Sequence, residues 1–197
     1  MSARHDITRA DILPMAEFVR LRQTKRGEIS AVKRRRRVEV GPYATFYFEN
    51  FDTMWWQIHE MLYIEGGGDE QIADEIAAYN PLIPKGQELV ATVMFEIEEP
   101  VLRARVLAGL GGVENRVTLA LDGDVIRAIA EADLDRTTAA GKASSVQFVH
   151  FPFSDRQIAR FRDLSVKAVL GIDHPSYAHM AVMPPAVREA LAEDFDI

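Results

Sequence analysis

The chain has 197 residues, 48% of them hydrophobic, which is enough for one good core and makes a single domain over 1–197 the expectation. It holds no cysteine, which excludes disulfides, thiol nucleophiles, cysteine zinc sites and iron–sulfur ligation. Net charge is −7 but uneven: residues 1–37 carry eleven Lys and Arg against four Asp and Glu, and the remainder carries twelve against 26.

No apolar run approaches the roughly 18 residues of a membrane span, and the opening MSARHDITRAD lacks the apolar stretch of a secretory signal. A cytoplasmic protein with no membrane contact is the expectation. A basic head on an acidic body has three readings. The head docks on its own body, docks on a second subunit, or holds an anion such as phosphate, nucleotide or nucleic acid. Nucleic-acid-binding domains are usually basic overall, which argues against the last of these ligands.

In chain order, Thr8-Arg9-Ala10-Asp11 resembles a capping box, and Pro14 suits a first helical position, predicting a helix over about 14–24. Gly27 is expected to interrupt it before a second helix over 28–36. Val38, Val40, Gly41-Pro42 and 44–49 read as a β-hairpin. A helix over 52–65 follows, with Met54, Trp55, Ile58, Met61 and Leu62 on one stripe, closed by Gly66-Gly67-Gly68. A short helix from Asp69 to Asn80-Pro81, a loop over 82–88, a strand over 89–97 and a helix from Pro100 to Gly109 come next. Segments 115–121 and 124–130 flank Asp122-Gly123, a strong hairpin signal. Residues 133–144 read as a mobile polar loop. A strand over 145–153 leads to the capping box Ser154-Asp155-Arg156-Gln157 and a helix. A last hairpin, 166–172 with 177–183, precedes a short helix after Pro184-Pro185. With strands joined mostly by turns and helices bunched early, the pattern predicts an α+β fold. One mainly antiparallel, curved sheet would carry the N-terminal helices on one face or end.

Several stretches taken together resemble a bacterial family defined only as a domain of unknown function, number 3501. They are the basic run before Val-Glu-Val-Gly-Pro at 38–42, Phe48-Glu49-Asn50, Gln57-Ile58-His59-Glu60-Met61-Leu62, Tyr79-Asn80-Pro81-Leu82-Ile83-Pro84 and His174-Pro175-Ser176-Tyr177-Ala178-His179. The resemblance spans most of the chain and assigns no chemistry to any residue. It implies a redox or oxidative-stress setting with a redox protein as partner.

Two constellations stand out. His150, His174 and His179 fall on predicted strands and a turn of the last third. Were the strands adjacent, three imidazoles would offer a transition-metal site with a position open for water or substrate. The plainer reading is a core histidine and two turn-and-strand histidines, since H-x4-H across a turn is not a ligand motif. The second constellation is Trp56, His59, Glu60 and Tyr63, at i, i+3, i+4 and i+7 on the reverse of the aromatic helix. With Arg34, Arg35, Arg36 and Arg37 it forms either a binding surface or a face packed under the basic head through cation–π contacts. Neither a dinucleotide loop, a P-loop nor a nucleophile elbow is present. The function expected is that of a non-catalytic binding or accessory protein, acting as a homodimer. The alternatives are a metal-dependent enzyme on the histidine cluster and an anion or nucleic-acid binder on the basic run.

Overall fold

The computed structural model describes residues 4–131 and 143–196. Its α+β architecture is antiparallel throughout the sheets, but there are two sheets rather than one curved one. Strands β1 (Arg37–Val40), β2 (Ala44–Phe48), β3 (Glu88–Phe95), β7 (Val146–Pro152) and β6 (Ile129–Ala130) form the first, in the order β1-β2-β3-β7-β6. The second runs β5 (Asp124–Arg127), β4 (Val117–Leu121), β8 (Ala168–His174), β9 (Tyr177–Val182). The predicted second strand of the Asp122-Gly123 hairpin divides at Ala128. Its first part pairs with β4, and its last two residues cross to β7, with Ile129 opposite His150. One chain segment thus belongs to both sheets and joins them along that edge.

Alternation along the strands decides what each face meets. Leu89, Ala91, Val93 and Phe95 of β3, with Phe46, Phe48, Val149 and Phe151 beside them, are buried against Leu119, Leu121, Leu170 and Ile172 of the second sheet. Each such side chain contributes about 1.5–3 kcal/mol on burial. The opposite face of the first sheet carries Val90 and Phe148, on which α2 (Phe51–Glu65) and α3 (Gly68–Tyr79) pack through Met54, Ile58, Leu62 and Ile72. The N-terminal helices therefore cover one face, as expected.

Local chemistry explains the helix ends. The Asn50 side chain accepts from Thr53 N–H at 3.0 Å, while Thr53 Oγ1 accepts from Asn50 N–H at 2.9 Å. The left-handed Gly66 (φ +66°) closes α2. Ser154 and Gln157 cap α5 (Asp155–Arg162) reciprocally, as the sequence predicts. The predicted break at Gly27 does not occur, and α1 runs unbroken over Met15–Arg34. Gly27 is exposed with nothing near it, so it costs the helix only about 1 kcal/mol. Phe18 and Ile29, anchored on either side of it, outweigh that. The remaining helices are α4 (Pro100–Ala108) and α6 (Pro185–Ala192). Apart from Ala143 and Ser144, the predicted mobile loop lies outside the described residues.

At the far edge the sheets are tied by Tyr177. Its hydroxyl donates to the Val40 carbonyl at 2.7 Å and accepts the N–H groups of Tyr43 and Ala44, both at 2.9 Å. This locks the β1–β2 turn, where Gly41 (φ +70°) also leaves room for the His179 ring, 2.5 Å from where a Cβ would stand.

Candidate ligand-binding site

The basic run does not act as a unit. Arg34, Arg35 and Arg37 are exposed, whereas Arg36 is 3% exposed and fully engaged. Its guanidinium donates to the carbonyls of Phe48 (3.0 Å), Ala190 (3.0 Å) and Glu49 (3.2 Å) and pairs with the Asp194 carboxylate. Burial pushes Asp194 up to about 6, with the Arg36 charge pulling the other way. Arg36 therefore docks the head on the body of the same chain. Arg37 pairs with Glu39 on the surface.

The reverse stripe of α2 divides the same way. Trp56 and His59 are buried, both rings lying against Phe18 of α1. His59 Nε2 accepts from Leu13 N–H at 3.0 Å, so its proton sits on Nδ1, 2.7 Å from the Trp55 carbonyl. Burial lowers its pKa and keeps the ring neutral. Glu60 is held by Nε and Nη2 of Arg22, at 2.7 and 2.8 Å, and Arg22 also lies over the exposed Tyr63 ring at 4.4 Å. The expected acid–base pair is thus two separate structural contacts, and the cation–π partner is Arg22 rather than the basic run.

The structure does not bring the three histidines together. His150, on the first sheet, lies between Glu88 at Nδ1 (3.0 Å) and Glu131 at Nε2 (2.8 Å). Carboxylates at opposite ends of one ring cannot share a metal with it. Glu88 foremost, and Glu131, hold its pKa above the ordinary histidine value against the effect of burial. His174 and His179 belong to the second sheet. His174 accepts from Ser176 N–H and faces the Gly111 carbonyl, and His179 packs edge-on to Tyr177. Among the described residues no group of three or more metal-ligating side chains converges.

What the sequence reading missed is a cavity of about 370 Å3 between the first sheet and its helices. Period-two alternation builds the floor: with Phe46 and Phe48 facing the core, Tyr47 and Glu49 face the helices, beside Thr92 and Phe148. The roof comes from Lys33 at the end of α1, Met54 and Gln57 on α2, and Tyr79 at the end of α3. Glu49 is 5% exposed. Its two oxygens accept from the hydroxyls of Thr53 and Thr92, both at 2.6 Å, and among the described residues no cation pairs with it. Each oxygen keeps a lone pair. Tyr47 donates to Glu96 at 3.0 Å, and its phenol pKa is raised by burial and by that carboxylate. Lys33 is half-buried and has no carboxylate partner among the described residues.

Two other hollows lack this chemistry. One of about 500 Å3 beside Leu13 and Ile72 has as its charges only Arg9 and Asp69, which pair with each other at 2.9 Å. One of about 260 Å3 contains Asp194, already held by Arg36. The cavity over Glu49 is distinguished by a nine-tenths buried carboxylate matched only by neutral hydroxyls.

Comparison with known proteins places the chain. The family model described as Protein of unknown function (DUF3501) matches residues 6–195, and the chain belongs to that family. Among solved structures it resembles the crystal structure at 1.90 Å of a novel protein of unknown function from Burkholderia pseudomallei K96243. The two share 37% identity with a TM-score of 0.89, over 96% of this chain and 99% of that one. No curated protein matches.

Proposed function

We propose that this member of the family is a non-catalytic binding protein that holds a small organic molecule in the cavity over Glu49. The observation carrying the reading is the buried Glu49 carboxylate, held by two threonine hydroxyls in a cavity whose one lysine, Lys33, does not pair with it. Burying a carboxylate without a cation is costly, and a ligand able to donate hydrogen bonds offsets that cost. A volume of about 370 Å3 lies at the small end of the range for ligand pockets, which suits a compact ligand. Met54, Leu82 and Met94 supply the apolar lining that gives such sites their affinity. A fluorine-NMR screen of small aromatic acids, amines and amino acids tests the reading against the wild type and a cavity-filled Met94→Trp variant. Binders lost in the variant are expected. The same binders in both proteins would refute it.

A second reading, the homodimer, is favoured by charge. α1 and the residue that ends it expose Arg20, Arg26, Arg34 and Arg35, while α3 exposes Glu70 and Asp74, and among the described residues none of these has an ionic partner. An isologous pair would set α1 of each copy against α3 of the other. Such an assembly dissociates as salt screens it. Sedimentation showing a single species of 22.1 kDa already at low salt would refute it.

A further inference from the structure

Resting on the small-molecule reading, we propose that the cavity selects a zwitterion: a compact apolar body with an anionic group taken by Lys33 and a cationic, hydrogen-bond-donating group taken by Glu49. The inference follows from two opposite charges that line one cavity without neutralising each other. Glu49 is fixed on the floor by Thr53 and Thr92, and among the described residues no cation pairs with it. The nearest guanidinium, that of Arg36, donates to the Glu49 main-chain carbonyl and spends its charge on Asp194. Lys33 stands at the roof on the last turn of α1, half-buried and lining the cavity.

A plain amine would satisfy Glu49 and leave Lys33 unanswered. A plain carboxylate would bring a second negative charge into a space that already holds one. A ligand with both groups answers both residues, and the apolar faces of Met94 and Phe148 take its body. Gln57, Tyr47 and Tyr79 add neutral donors and acceptors that fix orientation without changing the charge balance.

The test uses protein labelled with 13C at the methionine methyls. Met54 and Met94 line the cavity, and Met180, 80% exposed on the second sheet, is the internal control. Four probes share one ring: phenylalanine, phenethylamine, 3-phenylpropionate and 3-phenylpropanol. Phenylalanine is expected to shift Met54 and Met94 but not Met180, with an affinity about tenfold above either singly charged probe, or about 1.4 kcal/mol. Glu49→Gln should erase its advantage over phenylpropionate, and Lys33→Met its advantage over phenethylamine. If phenylpropanol shifts both methionines at the same concentration as phenylalanine, charge selection is wrong and the cavity reading survives. If no probe shifts them, both fail.

Discussion

Replacing Arg36 by methionine should be the most damaging single change outside the hydrophobic core. Methionine keeps most of the apolar stem and deletes only the guanidinium. Three main-chain carbonyls then lose a donor, and Asp194, 5% exposed, loses its counter-ion. Breaking a buried pair from one side costs about 3–5 kcal/mol, and stranded acceptors about 1–3 kcal/mol each. The terms overlap, because one rearrangement relieves several of them, so a loss of about 4 kcal/mol is expected. For a chain of this length that is a fall in Tm of about 8–16 °C. The pH dependence sharpens the case. Burial already pushes Asp194 up to about 6, and removing Arg36 pushes it further. The variant's native state then binds a proton more tightly than its unfolded state, so its stability rises as pH falls through the raised value. Urea denaturation should therefore show a larger deficit near about pH 8 than near about pH 5. An Asp194→Asn background should shrink the cost of Arg36→Met, with a coupling of about 1–3 kcal/mol. A deficit below about 1 kcal/mol, or one independent of pH, would refute the reasoning.

The two paired histidines should act in opposite directions. His150 has a raised pKa, so its contribution is fully present below about pH 6.5 and is lost as pH rises through the higher folded value. His150→Gln should flatten that alkaline loss in a pH series of urea midpoints. His59 has a lowered pKa, so its contribution declines as pH falls below about 6.5. His59→Leu should remove that acid sensitivity and cost about 1–3 kcal/mol for the stranded Leu13 N–H. Tyr177→Phe removes all three hydrogen bonds that the hydroxyl makes to the β1–β2 turn, and a loss of about 1–3 kcal/mol by thermal unfolding is expected.

The elements whose signals are local were legible. Gly66, Ser154 and Asp122-Gly123 mark boundaries through bonds within a few residues, and the elements beside them start or stop where expected, although the strand after Gly123 keeps its pairing with β4 only to Arg127. The stripe Trp56, His59, Glu60 and Tyr63 is legible from its spacing as a second face of α2. Its covering by Phe18 is not, because that contact joins residues about forty apart and periodicity carries no such range. Gly27 was over-read, since glycine breaks a helix only where packing does not hold the two sides. The histidine cluster assumed that neighbouring positions in the last third share a sheet, and the crossing at Ala128 sends β7 and β8 to different ones. Glu49 belongs to no motif that names a chemistry. Its signal lay in the alternation itself: if Phe46 and Phe48 point to the core, the carboxylate two residues after Tyr47 must sit under the helices.

The Arg36 cradle also sets an order of events. Its acceptors come from two distant stretches, at 48–49 and at 190–194, and the strand-like contact of Gly86 with Phe195 also joins residues far apart in sequence. On a ribosome the helices and most of the first sheet can assemble as soon as β7 emerges. Until residue 194 follows, the guanidinium has only two of its three carbonyls and no counter-ion. At synthesis rates of about 5–20 residues per second, the roughly forty residues after β7 hold the nascent domain open for about 2–8 s. In that interval the apolar inner face of the first sheet is exposed to whatever chaperones are near, and completion of the fold is tied to delivery of residues 190–194.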